Sequence, residues 1–364
     1  MKETETGIIG GGLAGLSLAI LLARQGRMVT LWEKGSYPAH RVCGEYISRE
    51  SLPFLMRLLP DFDWHSLPLI DQLLISSPSG KILREKLDMG GIGISRYRLD
   101  AALAEEALRS GVNLLENMAV KNFFQRNGSF EVETADQSWN CKTLFLAWGK
   151  GRGPGEAARN PKSGKHYIGV KYHIRFPNPP EEIQLHNFRN GYCGMSRVEE
   201  GISCLCYLAD AAELQACGND LRAMEEKVLM RNPFLKEIFA EAEFLWKAPK
   251  VISGIRFGEW GSSMGNALLL GDAAGCIAPL CGNGMSLALH AASQLGEFLQ
   301  NSDNLPEEYS EFRNRKFRRR IEAGSLIQHF FGGEFLSNAA MELLNLSPAL
   351  FRKAIVKKTH GLPF

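Results

Sequence analysis

Two glycine-centred motifs at opposite ends of the chain constrain its fold more than any other feature. The first is Gly7-Ile-Ile-Gly10-Gly11-Gly12-Leu13-Ala14-Gly15, and the second is Ala267-Leu-Leu-Leu-Gly271-Asp272-Ala-Ala-Gly275. In the first, Gly7 to Ile9 reads as a short buried strand. Gly10 allows a tight turn, Gly12 lets the backbone approach a pyrophosphate, and Gly15 lets the next helix pack close to the sheet. The pattern predicts a helix from Leu13 to Gln25 whose N–H groups and positive dipole end face the phosphates. Gly26 stops that helix, and Val29 to Trp32 is the second strand. Glu33 follows, where an acid accepts hydrogen bonds from the adenosine ribose and disfavours a 2′-phosphate. In the second motif Asp272 follows a buried strand, Ala267 to Leu270. Its carboxylate is placed to accept from a ribityl hydroxyl, which NAD lacks. Together the motifs point to FAD held at both ends by one domain.

Composition is that of a soluble enzyme. A chain of 364 residues buries a substantial core, here expected in two intertwined domains. The net charge of +2 gives no case for a nucleic-acid partner. Residues 7–23 are apolar enough to suggest a signal or membrane segment, but acids precede the run, glycines crowd it, and it reads as strand-turn-helix. A cytoplasmic protein is expected, peripheral to the membrane at most. The eight cysteines show no paired C-x-x-C spacing, so no metal is expected and the thiols read as buried and reduced.

The fold class expected is α/β, α+β overall: a Rossmann-like FAD-binding domain with a β-meander crossover, an antiparallel-sheet substrate domain, and C-terminal helices. Ser77-Pro-Ser-Gly80 separates two strands, Leu73 to Ser76 and Lys81 to Leu87. Ser95-Arg96-Tyr97-Arg98-Leu99-Asp100 opens a helix running to Gly111. Arg126-Asn-Gly128 is a hairpin turn, and Leu144 to Trp148 is an apolar strand. Tyr167 to Phe176, Ile183 to Phe188, Tyr192 to Ser196 and Ile202 to Leu208 read as antiparallel strands, placed as a sheet over the flavin. Residues 211–246 turn helical. The division expected is 1–71, 92–155 and 251–300 for the FAD-binding domain, 72–91 and 156–250 for the substrate domain, and 301–364 for the C-terminal helices. Near the second motif, Gly282-Asn283-Gly284-Met285 opens a long helix, Ser286 to Leu299. Its N–H groups and positive end face the flavin pyrimidine edge, where they would stabilise the anionic reduced ring.

With these motifs the chain resembles the FAD-dependent family that groups para-hydroxybenzoate hydroxylase-type enzymes with the geranylgeranyl reductases. The resemblance covers roughly residues 5–300. Arg41-Val-Cys43-Gly44-Glu45 resembles the P-x-x-C-G-E-type segment of the reductase branch, which lies beside the pyrophosphate and the isoalloxazine ring. It implies that Arg41 pairs with phosphate, that Cys43 lines the pocket, and that Arg96, in an R-x-x-L-D pattern, contacts FAD. The full cofactor set expected is Gly10, Gly12, Leu13, Ala14, Gly15, Glu33, Lys34, Arg41, Cys43, Gly44, Arg96, Val120, Gly149, Asp272, Gly282, Asn283, Gly284 and Met285. Three positions depart from the family. Ala147-Trp148-Gly149-Lys150 stands where the hydroxylase branch carries Asp-Gly, which puts direct reduction by NADH or NADPH in doubt. Ser286 follows Met285 where that branch often has Asn. Gly194, in Tyr192-Cys193-Gly194-Met195-Ser196, replaces a reductase-branch tryptophan and should open space over the ring.

The reductase branch implies hydride transfer from reduced FAD to an activated alkene of a lipophilic or polyketide-like molecule. The hydroxylase branch implies a C4a-hydroperoxide and an aromatic substrate. A third reading, from another class, is a flavoprotein that only carries electrons. NADH or NADPH is a candidate transient donor. Tyr172, His173, His186, Tyr192 and Met195 are candidate walls over the flavin, with Tyr172 and His173 on opposite faces of their strand. Cys43, His173, His186 and Tyr192 are the candidate catalytic residues. The basic run Arg313-Asn-Arg315-Lys316-Phe317-Arg318-Arg319-Arg320 is either a solvated helix face or a dock for an electron-donor protein or membrane surface. Phe330, Phe331, Phe335, Leu343 and Leu344 are candidates to cap a lipophilic pocket.

Overall fold

The structure is a computed structural model that describes residues 1–151, 153–154, 166–259, 261–278, 282–324 and 361–364. The expected C-terminal cap at 330–344, and the start of the second glycine segment at 279–281, lie outside the described residues.

The chain begins with β1 (Lys2–Ile9), α1 (Leu13–Arg24) and β2 (Val29–Trp32), the strand-helix-strand that the first motif predicts. It ends α1 with a Schellman motif. Gly26 takes φ +80, its N–H meets Ala23 O at 2.9 Å, and Arg27 N meets Leu22 O at 3.1 Å. The chain continues through β3 (Tyr46–Ser48), α2 (Leu52–Leu58), β4 (Leu69–Ser76), β5 (Ile82–Gly93) and α3 (Arg96–Arg109). Ser95 caps α3 by accepting from Arg98 N. Then come β6 (Asn113–Leu115), β7 (Asn122–Arg126), β8 (Ser129–Glu133) and β9 (Ser138–Leu146).

Four strands follow, β10 (Tyr167–Arg175), β11 (Glu182–Phe188), β12 (Gly191–Arg197) and β13 (Ser203–Asp210). Three short helices follow: α4 (Ala211–Ala216), α5 (Leu221–Lys227) and α6 (Pro233–Glu241). The chain returns through β14 (Glu243–Phe244), β15 (Lys250–Ile255), β16 (Gly258–Glu259), β17 (Ser263–Met264), β18 (Ala267–Leu269) and β19 (Gly275–Cys276), and then α7 (Gly284–Asn301) and α8 (Leu305–Arg313).

Among the described residues these strands form two large sheets. The first runs β17-β18-β9-β1-β2-β6, with β7 and β8 as an antiparallel meander on β9. Within it β18, β9, β1, β2 and β6 are parallel. This is the Rossmann-like sheet with its meander. The second runs β14-β10-β13-β12-β11-β4-β5-β3, with β15 on β10. It is antiparallel except where β11 meets β4. Thus β3, β4, β5 and β15 all join the second sheet. The helix α1 packs between the first sheet and α7, with Leu16, Leu18, Leu289 and Leu295 fully buried in one core. The second sheet has a separate core on its outer face, where Val170, Tyr172, Met195 and Tyr207 meet α5 and α6.

Gly15 is where helix and turn meet most closely. A Cβ there would stand 2.0 Å from Gly10 O. Gly15→Ala should therefore lower stability by about 1–3 kcal/mol, since backbone rather than a flexible side chain must move. Urea denaturation at equal protein concentration measures this.

Candidate functional site

Register sets the place of the site. Ile9 pairs with Leu146, and Leu146 pairs with Leu269. The carboxyl ends of β1, β9 and β18 therefore stop at one level, and Gly10, Ala147 and Leu270 leave the sheet side by side. The chain leaves β1 for β2 on one side while β9 lies on the other. This is the topological switch point, where open α/β sheets bind ligands.

Gly10 has φ +107, and a Cβ on it would lie 2.5 Å from Ala147 O. Gly12 differs, because a Cβ there would meet only Arg96 Nη2, at 3.9 Å. Gly44 and Gly149 likewise face open space. Leu13 and Ala14 are buried in the first turn of α1. Glu33 is buried and already engaged: Oε2 accepts from Gly11 N at 2.8 Å, and Oε1 from Gly35 N at 3.0 Å and Arg41 Nη2 at 3.1 Å. Burial alone would raise its carboxyl, but Arg41 and the two N–H groups outweigh burial and hold it below the usual range. Tyr37 Oη donates to Gly11 O at 2.6 Å. Arg96 forms a bidentate pair with Asp100 at 2.6 and 2.8 Å, and Arg41 Nε lies 3.8 Å from the same carboxylate. Lys34 is exposed, and Val120 is half-buried beside Leu115 and Met118.

Across the crevice, Asp272 sits on a short turn, Gly271–Ala273, with Lys150 Nζ 4.0 Å from its carboxylate. Gly282 has φ +67, Asn283 precedes α7, and Gly284 and Met285 form its first turn. Cys43 Sγ approaches Met285 Sδ at 3.5 Å, so the Arg41–Glu45 segment and the start of α7 form one wall.

The residues present fit FAD. Gly12 and Gly44 leave room for backbone approach, α1 and α7 begin directly after the two glycine segments, and Glu33 and Asp272 follow the carboxyl ends of β2 and β18.

Strand pairing decides what roofs the crevice. Leu185, Gly194, Cys206 and Lys171 are successive partners across β11, β12, β13 and β10, so they share one face. Cys204, Ser196 and His173 lie on the same face in the next row. Their side chains reach the Arg41–Glu45 segment: Cys204 Sγ to Cys43 O at 3.2 Å, and Ser196 Oγ to Gly44 O at 3.0 Å. Tyr192 also lies on this face. Tyr172, His186 and Met195 have the opposite parity. Tyr172 Oη donates to Glu225 at 2.8 Å in the outer core. His186 is fully buried between Ser76 Oγ at 2.9 Å and Gln184 Oε1 at 3.0 Å, stacked on Phe234. Of the five expected walls, only His173 and Tyr192 face the crevice side. Gly194 leaves ordinary contact distance rather than a void, since a Cβ there would meet Leu185 at 3.5 Å.

A buried charge cluster lies behind the Cys43 wall. Glu45 and Lys171 are both fully buried and ion-paired. Glu45 also accepts from Arg96 N at 2.7 Å and meets His173 Nε2 at 2.7 Å. Lys171 Nζ donates to Arg41 O at 3.2 Å. Glu45 adopts φ 56, unusual for a residue with a side chain. Burial would neutralise the pair, but contact with His173 and Lys171 keeps Glu45 ionised, and Glu45 holds Lys171 above its usual value. His173 stacks on Trp246, and His40 packs edge-on against His173. His40, Glu45 and His173 bring ligand atoms within 4.8 Å of one another. Lys171 already neutralises that carboxylate, so a divalent cation there would leave a buried net charge of about +2, a costly arrangement.

The basic run is not one solvated face. Arg313 is buried and donates to Ala274 O at 3.1 Å, Arg320 is buried on Glu50 at 2.6 Å, and Phe317 is in the core. Arg315, Lys316, Arg318 and Arg319 are exposed. Among the described residues, no helix is long and apolar enough to cross a membrane.

Comparison with known proteins bears on the fold. The NAD(P)-binding Rossmann-like domain family matches residues 8–45. A solved geranylgeranyl bacteriochlorophyll reductase-like protein from Thermoplasma acidophilum superposes with a TM-score of 0.77 at 16% identity, covering 98% of this chain and 97% of that one. This is the fold of FAD-dependent oxidoreductases. The same fold is shared by a probable FAD-dependent monooxygenase from Pseudomonas aeruginosa and by flavin-dependent halogenases. By sequence, the chain is 24% identical to the protein FixC of Escherichia coli K12 over 88% of this chain and 81% of FixC. It is 26% identical to conditioned medium factor receptor 1 of Dictyostelium discoideum over 79% of this chain, but spans only 61% of that receptor.

Glu45→Ala should destabilise by about 3–5 kcal/mol, because it strands the Lys171 charge in the interior, and Glu45→Gln/Lys171→Met should recover part of the loss. Denaturant midpoints of the three proteins check this. Burial lowers the His186 pKa from 6.5 to about 3. The neutral ring is thus favoured by folding, and its contribution is lost as pH falls below 6.5 toward 3. His186→Gln should flatten the loss of stability between pH 7 and pH 5, measured by urea unfolding at each pH.

Proposed function

We propose that the chain is a FAD-dependent oxidoreductase that reduces an activated alkene in a lipophilic small molecule. The observation that carries this reading is the crevice itself. Both dinucleotide motifs open into it, and a sheet face of Leu185, Gly194 and Cys206 roofs it. Burial pushes the Cys206 thiol up to about 12, so Cys206 itself stays neutral at physiological pH.

Bound FAD would supply a hydride. On this reading Gly10, Gly12 and the first turn of α1 hold the diphosphate, Glu33 the adenosine ribose, and Asp272 the ribityl chain. Arg41 and Arg96 add positive charge beside Gly12, oriented by Glu33 and Asp100. Cys43, Met285 and the sheet face exclude water, which protects a reduced cofactor from side reactions. Overall, one alkene carbon gains the hydride and the other a proton from solvent. The electrons come from a reduced nicotinamide or from an acidic donor protein, for which Arg315, Lys316 and Arg319 offer exposed charge. The aromatic hydroxylase remains the second reading, because the fold is shared with a monooxygenase.

The two readings separate in one experiment. Holoprotein reduced with dithionite under argon and mixed with an enone-bearing lipid should reoxidise and yield the saturated product. If the reduced protein is inert to the enone but consumes oxygen and hydroxylates a phenol, the hydroxylase reading replaces it.

A further inference from the structure

We infer that Lys150 is the cation of the redox site, placed to meet the negative charge that reduction puts on the flavin ring. This rests on the FAD reading above and adds to it a residue that the glycine motifs do not include.

Its backbone position is fixed by the sheet. Lys150 follows β9 at the switch point, and the strand end is locked against the first glycine turn, since Ala147 N donates to Ile9 O at 2.8 Å. Gly149, at φ +82, turns the chain there. Its Nζ lies 4.0 Å from Asp272 Oδ2, a loose ion pair rather than a hydrogen bond. It also lies within electrostatic reach of Cys276, Cys43 and Cys206. Those residues come from the strand after Asp272, from the Cys43–Gly44 wall and from the sheet roof. The ammonium therefore stands where the cofactor walls and the substrate wall meet.

The other nearby cations are committed elsewhere. Arg96 is held by Asp100, Arg41 by Glu33, and Lys171 by Glu45. Asp272 has a ribityl hydroxyl as its expected partner when FAD is bound, which loosens its hold on Lys150. Two electrons and one proton convert the neutral ring to an anion. A cation beside the ring, on a side chain that is 22% exposed, favours the anion over the oxidised ring and makes the flavin easier to reduce. The first turn of α7 acts with the same sign.

The test compares holoprotein with Lys150→Met and Lys150→Arg, reduced by dithionite against reference dyes to obtain midpoint potentials. FAD and ADP binding are measured by calorimetry on the same proteins. Lys150→Met should weaken binding of the reduced cofactor, relative to the oxidised form, tenfold or more, or about 30 mV for a two-electron couple. Lys150→Arg should stay near the parent value. Lys150→Gln, of different shape but the same lost charge, should match Lys150→Met and guards against a folding defect in one variant. An unchanged potential in the neutral variants overturns the proposal. So does an equal loss of affinity for FAD and ADP at unchanged potential, which would make Lys150 a phosphate ligand. Parent protein that takes up no FAD overturns the flavin reading itself, before any variant is compared.

Discussion

The alignment of three strand ends controls the rest of this structure. Because Ile9, Leu146 and Leu269 sit in one register, the turns that follow them open into one crevice. Gly10 and Gly15 are steric requirements of that arrangement, each with backbone within 2.5 Å of where a Cβ would stand. Gly12 is not crowded in this way. Its openness is what a ligand needs rather than what the fold needs. The two dinucleotide motifs, distant in sequence, thus become two ends of one site through strand register alone.

The second sheet is tied to that site by a buried charge cluster rather than by apolar packing alone. Every carbonyl from Arg41 to Glu45 but that of Val42 is held. Lys171 takes Arg41 O, Cys204 takes Cys43 O, Ser196 takes Gly44 O, and Ile94 N takes Glu45 O. Glu45, in its left-handed conformation, joins β10 to the first turn of α3. Such a pair contributes little net stability compared with an apolar replacement, but it is severely disrupted when one partner is lost. Its effect is to fix the Cys43 wall relative to the sheet, and with it the shape of the space over the cofactor.

Much of this was legible from residues. The glycine spacing, Gly26 as a stop and Asn-Gly at residue 127 each have a local backbone cause, and strands β10 to β13 were marked by their turns. The parity of Tyr172 and His173 was readable too, and the same rule applied across β11 and β12 would have set Met195 and His186 on the outer face. Lys150, Glu45 and Lys171 were harder to assign. Their partners lie in other elements, and only strand register and the loop after β2 bring them together. A lysine inside the apolar run Val170-Lys171-Tyr172 was the one available signal for the cluster. The split of the basic run was hidden because Arg313 and Arg320 find buried partners in Ala274 and Glu50, far away in sequence.

On this reading the crevice at the ends of β1, β9 and β18 is a FAD site. The most direct measurement is a fluorescence titration of flavin-free protein with FAD, run beside FMN and NADH. A FAD site gives saturable, one-to-one binding of FAD with quenching of its fluorescence, and much weaker binding of FMN, which lacks the adenosine that Glu33 would hold. Failure of FAD to bind, or equal affinity for FMN, would contradict it.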